Sequence, residues 1–189
     1  MKQGAYCLFE TQLGWCGIAW RESADLGIPV AVTSFQLPEA SKEMTEARIA
    51  QSPGMPKPAS APSQILMIIS KVQLHLQGEV QDFADVHVDL GGVEHFDQQV
   101  YEAVHRIPAG KTATYGEVAE AMGQPAASRA VGRALAHNPI PLIIPCHRVV
   151  AAAGKLGGFS AHGGRVTKAK LLAIEGATVN LRLDLTAKR

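Results

Sequence analysis

Hydrophobic periodicity changes character at Gly91-Gly92. Before that pair, apolar residues fall in short runs rich in aromatic and β-branched side chains, at residues 6–10, 15–20 and 28–37, punctuated by Gly14 and Gly27. After it they recur at helical spacing, as in Val100, Val104 and Ile107. Strands first and helices afterwards read as α+β, since there is no regular strand–helix alternation to build a parallel sheet. Two units are expected: an N-terminal sheet-plus-helix domain over residues 1–92, packed on a mostly helical C-terminal domain over residues 93–189.

Local signals refine this. Pro38-Glu39 opens a polar stretch with Met44, Ala47 and Ile49 at near-helical spacing, and residues 52–58 form a Pro/Gly loop. Ser63 is the expected cap of a helix to Leu76, closed by Gly78, and residues 86–90 alternate like a last strand. In the second half a helix over 96–106 is stopped by Pro108-Ala109-Gly110. Thr114 and Glu117 make a capping box for a helix to Met122. Gly123-Gln124-Pro125 turns into a helix over 128–137, so residues 114–137 read as a helix-turn-helix. Residues 154–164 hold five glycines, a mobile or tightly turned loop, and a last helix over 167–175 ends at Gly176.

The chain has 189 residues and 47% hydrophobic residues, enough to bury a core. No run spans a bilayer: residues 65–69 are apolar but Ser70 and Lys71 follow. Residues 1–7 lack a secretory apolar segment, and three scattered cysteines make no disulfide framework, so a reducing cytoplasm is expected. Cys7 and Cys16 lack zinc-ligand spacing, and no metal or cofactor is expected. Residues 1–92 carry a net −4 and residues 93–189 a net +5. Either a polyanion meets the second half alone, or solvated surface charge is simply uneven.

The strongest chemical signal is Pro145-Cys146-His147-Arg148-Val149, entered through the apolar run Ile140-Pro141-Leu142-Ile143-Ile144. Burial raises a thiol's pKa and makes it inert, whereas a neighbouring base or cation favours thiolate. Here both conditions occur together. That describes a sequestered nucleophile activated locally; the alternative is an inert core cysteine beside a surface histidine. Adjacent side chains do not face each other in regular structure, so contact between the two needs a turn or a bridging water. Of seven dispersed histidines, only His147 gains a role from its neighbours. In the second helix Ser128, Ala130 and Gly132 surround Arg129 with almost no bulk, a surface suited to a narrow groove.

Tyr115, Arg129-Ala130-Val131-Gly132, Asn138-Pro139, Ile144-Pro145-Cys146-His147-Arg148-Val149, the 154–160 loop, Lys168 and Glu175-Gly176 occur in order. This set closely resembles the O6-alkylguanine-DNA alkyltransferases, the methylated-DNA–protein-cysteine methyltransferases. The likeness is dense over residues 96–176 and weaker over 5–92, where Gly14-Trp15-Cys16-Gly17 looks like the family's N-terminal domain.

The resemblance implies a ribonuclease H-like N-terminal domain and DNA repair by irreversible, single-turnover methyl transfer to Cys146. The methyl comes from O6-methylguanine, and from O4-methylthymine. His147 would be the base, reached through a water in the family, Glu175 the carboxylate that orients it, and Asn138 the tie between helix-turn-helix and active-site segment. Tyr115 would turn the 3′ phosphate and protonate guanine N3, and Arg129 would replace the extruded base. Ser128, Ala130 and Gly132 would meet double-stranded DNA in the minor groove. Base flipping is required because a stacked guanine cannot reach a buried thiol. Leu135, Val149, Leu156, Phe159 and Ser160 would form the alkylguanine pocket, with Lys168 holding its loop. Phe159 stands where many relatives have tyrosine, and Ala161-His162 is extra relative to shorter forms; both bear on the alkyl size accepted. Arg148 is expected in a structural ion pair with an N-terminal acidic residue. The protein would act as a monomer away from membranes. A lesion-binding protein without chemistry, or a thiol hydrolase that turns over, are the rival readings.

Overall fold

The computed structural model describes residues 4–22 and 30–177. Strands β1 (Ala5–Thr11) and β2 (Gly14–Arg21) form an antiparallel hairpin, and β3 (Ala31–Gln36) pairs antiparallel with β2. Residues 28–29 of the expected 28–37 strand, and Gly27 before it, lie outside the described residues. The loop over 52–58 contributes a two-residue strand, β4 (Lys57–Pro58), parallel to β1, giving the order β3-β2-β1-β4. A proline is tolerated there because the outer edge needs no N–H donor.

Alternation in β1 and β2 sends side chains to two faces. Tyr6 and Ala19 pack with Ile49 of α1 (Lys42–Ala50), whereas Phe9, Cys16, Ile18 and Trp20 join the main core with Ile65 and Ile69 of α2 (Ser63–Leu76). Gly17 lets α1 approach: a Cβ there would lie 3.0 Å from Ile49 Cβ. Two expectations need correction. Ser63 is the first helical residue and caps nothing; Pro62, extended at φ −68°, stands at the cap position. Residues 86–90 form no regular strand. They touch β3 through one bridge, Val32 to Val88, because only Val32 N–H to His87 and Asp89 N–H to Val32 are satisfied in register.

The second half comprises α3 (His95–His105), β5 (Ala113–Thr114), α4 (Tyr115–Ala121), a 3₁₀ turn over Pro125–Ala127, α5 (Ser128–Ala136), a 3₁₀ turn over Cys146–Arg148, β6 (Val149–Val150) and α6 (Arg165–Ile174). The capping box forms: Thr114 Oγ1 accepts from Glu117 N–H at 3.1 Å, and Glu117 Oε2 accepts from Thr114 N–H at 2.6 Å. The architecture is mixed α+β, and the largest core cluster runs from Phe9 to Leu171, drawing on both halves. No helix among the described residues is long and apolar enough to cross a membrane.

Candidate active site

Prolines 141 and 145 bar residues 140–146 from a continuous helix or central strand, so their polar backbone must be satisfied one group at a time. Asn138 does much of this. Its Nδ2 donates to Ile144 O at 2.9 Å and its Oδ1 accepts from Ile140 N–H at 3.0 Å. Ile144 N–H closes back on Ile140 O at 2.9 Å, around Leu142 at φ +74°. The sheet braces this segment from the other half: Phe35 N–H and Ser34 Oγ both donate to Pro139 O, at 2.9 and 3.0 Å.

The chain then enters the 3₁₀ turn Cys146–Arg148, where successive side chains point about 120° apart. All three are buried. Cys146 joins Tyr115, Gly132, Leu135, Ala136, Gly158, Phe159 and Ser160 around a cavity of about 250 Å³. His147 Nε2 instead meets Glu175 Oε1 at 3.0 Å. Arg148 grips the same carboxylate, Nε to Oε2 at 3.0 Å and Nη2 to Oε1 at 2.7 Å, while Nη1 donates to Ile107 O at 2.5 Å. Arg148 is thus in a structural ion pair, but with Glu175 at the end of α6; the expected N-terminal acidic partner is corrected.

Because Nε2 of His147 faces a carboxylate, that nitrogen carries the ring proton. Nδ1 is left as a buried lone pair with no hydrogen-bond partner among the described residues. Burial pushes the Cys146 thiol up, opposed by a hydrogen bond from Asn138 and the charge of Lys168. Burial pushes His147 down, opposed by Glu175. Burial alone would raise Glu175, but His147, the nearby His75 and Arg148 together outweigh it and hold the carboxyl well below the usual range. The thiol and imidazole therefore rest neutral beside one fixed negative charge.

Lys168, pushed down to about 8 by burial, donates Nζ–H to Val149 O at 2.6 Å and Gly158 O at 3.1 Å, pinning the glycine-rich loop. It does not line the cavity. Val149 and Leu156 also stand behind the wall: Val149 is in the main core, and Leu156 packs with Val150 and Leu172. The parallel pair β5–β6 aligns Thr114 with Val150 and so sets Tyr115 beside the Cys146 turn. Tyr115 and Gly132 also line a second, wider cleft of about 470 Å³ with Ser128, exposed Arg129, Ala151 and Ala152. Ala130, half-buried, is not among the residues that line it. Pocket and cleft thus share a wall.

Among the histidines the sequence points only to His147, and the structure brings a second one, His75, to the same carboxylate. That side chain, fully buried on α2, brings Nε2 to 3.1 Å from Glu175 Oε1. Its signal was available: His75 shares the buried face of α2 with Ile65, Ile69 and Val72, a polar residue at core spacing. Among the described residues no cluster of three metal-ligating side chains occurs.

The 6-O-methylguanine DNA methyltransferase, DNA binding domain, family matches residues 95–177. A methylated-DNA–protein-cysteine methyltransferase of Mycolicibacterium paratuberculosis is 46% identical over 107 residues, 57% of this chain and 62% of that protein. One from Mycobacterium tuberculosis is 46% identical over 117 residues, 62% of this chain and 68% of that protein. The alignments therefore span about two thirds of these relatives. A crystal structure of Mycobacterium tuberculosis OGT in complex with DNA superposes with a TM-score of 0.73 at 33% identity, covering 91% of this chain and 92% of that one.

Proposed function

Since the chain belongs to the methylated-DNA–protein-cysteine methyltransferase family, we propose that Cys146 accepts the methyl group of O6-methylguanine, and of O4-methylthymine, in double-stranded DNA. The observation that carries this is a buried thiol at a cavity wall, followed by an imidazole whose far nitrogen is fixed on Glu175. His147 Nδ1 takes the thiol proton through a bridging water; the imidazolium that forms is stabilised by the carboxylate. The thiolate attacks the methyl carbon, the S–C bond forms as the C–O bond breaks, and guanine leaves with its electron pair. Tyr115, at the rim, supplies a proton to guanine N3. A thioether sulfur is a poor leaving group at neutral pH, so each molecule reacts once.

A guanine stacked in duplex cannot reach a thiol that is only 5% exposed, so the base must swing out, at a cost of a few kcal/mol. Arg129 fills the gap, and Ser128, Ala130 and Gly132 let the backbone of α5 settle into the minor groove. In this reading α4, the 3₁₀ turn and α5 are a helix-turn-helix. The N-terminal half is ribonuclease H-like, supported by the sheet order β3-β2-β1-β4 with only β4 parallel. The division at Gly91-Gly92 fits a DNA-binding family match that begins at residue 95. The protein acts as a cytoplasmic monomer.

The test is peptide mass analysis after incubation with excess duplex containing O6-methylguanine. One methyl per molecule on the Cys146 peptide is expected, and none in Cys146→Ala, which still binds DNA. Methyl retained on the DNA would support a lesion binder without chemistry, and multiple turnovers a thiol hydrolase.

A further inference from the structure

Glu175 carries a second imidazole. His75 belongs to α2, in the half of the chain that holds none of the other groups on this carboxylate. Its Nδ1 accepts the Gln81 backbone N–H at 3.1 Å, which assigns the ring proton to Nε2, the atom beside Glu175 Oε1. The ring stands against Phe83, centroids 5.3 Å apart. At 3.1 Å the Nε2–H is within reach of Oε1 but poorly aligned for a hydrogen bond, and it has no other partner among the described residues.

The charged and titratable groups facing Glu175 are His147 and Arg148 from the active-site turn and His75 from α2. The first two ride on the same turn as Cys146. Among the described residues, only His75 ties the carboxylate to the N-terminal half. We propose that His75 is a positioning residue for methyl transfer, a neutral donor that keeps Glu175 on His147 while the turn accommodates the incoming carbon. This rests on the roles given above to Cys146, His147 and Glu175. It gives the N-terminal half a part in the chemistry beyond bracing.

The full chain is compared with His75→Phe, which keeps a ring and loses the donor, and His75→Gln, whose amide N–H reaches toward Oε1. Two rates are read from mildly acid to mildly alkaline pH. One is single-turnover methyl transfer at saturating O6-methylguanine duplex; the other is iodoacetamide alkylation of Cys146 without DNA, followed on its peptide. His75→Phe should slow both by about tenfold, slightly less than a well-aligned bond to a charged group is worth, and raise the pH midpoint. His75→Gln should recover most of the loss. The idea is overturned if His75→Phe reacts like wild type, or if both variants lose equally with an unmoved midpoint. It is also overturned if His75→Phe reacts faster with a lowered midpoint, which would mean His75 competes with His147 for Oε1. If His75→Phe does not fold, the ¹⁵N signature of the wild-type ring decides: protonation at Nε2 supports the assignment and protonation at Nδ1 sinks it. A wild type that takes no methyl from DNA, while its alkylation still responds to His75, would defeat the proposed function and leave this inference standing.

Discussion

Glu175→Gln replaces the one anionic group in the active-site cluster by an amide of the same shape. The Arg148 guanidinium, only 8% exposed, then faces a neutral side chain. Three donors converge on two oxygens, so one contact must become donor against donor. Removing one partner of a buried ion pair costs about 3–5 kcal/mol. For a chain of this size that lowers the melting temperature by roughly 6–20 °C. The sign of the pH dependence follows from Glu175 being held well below its ordinary range when folded. Its stabilisation is complete above the unfolded carboxyl value, about 4.3, and is lost as pH falls toward the folded value. Urea unfolding should therefore show a constant gap between wild type and Glu175→Gln near neutrality. Below about pH 4 the gap should narrow by about 1.4 kcal/mol per pH unit. A gap under about 1 kcal/mol at neutral pH, or one indifferent to acid, would refute the view that this carboxylate holds the turn together.

Three other outcomes are expected. Cys16, buried beside Thr11, is pushed up to about 12 by burial, so its stabilisation is full below the unfolded thiol value and is lost as pH rises toward 12; Cys16→Ala should flatten the alkaline slope of urea midpoints, and an unchanged slope contradicts the assignment. Lys168→Met removes the two bonds that pin the loop, and should speed hydrogen exchange over residues 155–161 and slow methyl transfer at least about tenfold; wild-type rates would show the loop to be held otherwise. Gly157→Ala places a Cβ 3.1 Å from Tyr115 Oη at φ +71°, and should cost about 1 kcal/mol in urea unfolding and weaken duplex binding by fluorescence anisotropy, whereas normal values in both would free Tyr115 from that contact.

Elements defined by nearest-neighbour chemistry were legible. The Thr114–Glu117 capping box, the hairpin around Gly14 and the end of α2 before Gly78 each depend on a few consecutive residues. What could not be read depends on partners far away in sequence. Lys57-Pro58 is loop by composition and becomes a strand only because β1 offers it carbonyl and amide groups. Residues 86–90 alternate like a strand, yet β3 satisfies them at one point, its Phe35 N–H being taken by Pro139.

The site shows the same division at higher stakes. Cys146, His147 and Arg148 are consecutive, so the motif was visible, but their chemistry depends on Glu175 at the far end of α6 and on His75 one half away. Consecutive residues on a 3₁₀ turn cannot share one direction. That geometry sends the sulfur to the cavity and the two basic groups to the carboxylate. Burial disfavours both thiolate and imidazolium, so the resting pair is neutral and unreactive toward stray electrophiles. The fixed charge of Glu175 on the imidazolium side, with Asn138 and Lys168 on the thiolate side, brings the ion pair within reach, and a substrate filling the cavity strengthens that attraction by excluding water. A nucleophile proposed to react once is best kept in this state, and the arrangement that keeps it so joins residues about thirty to a hundred positions apart.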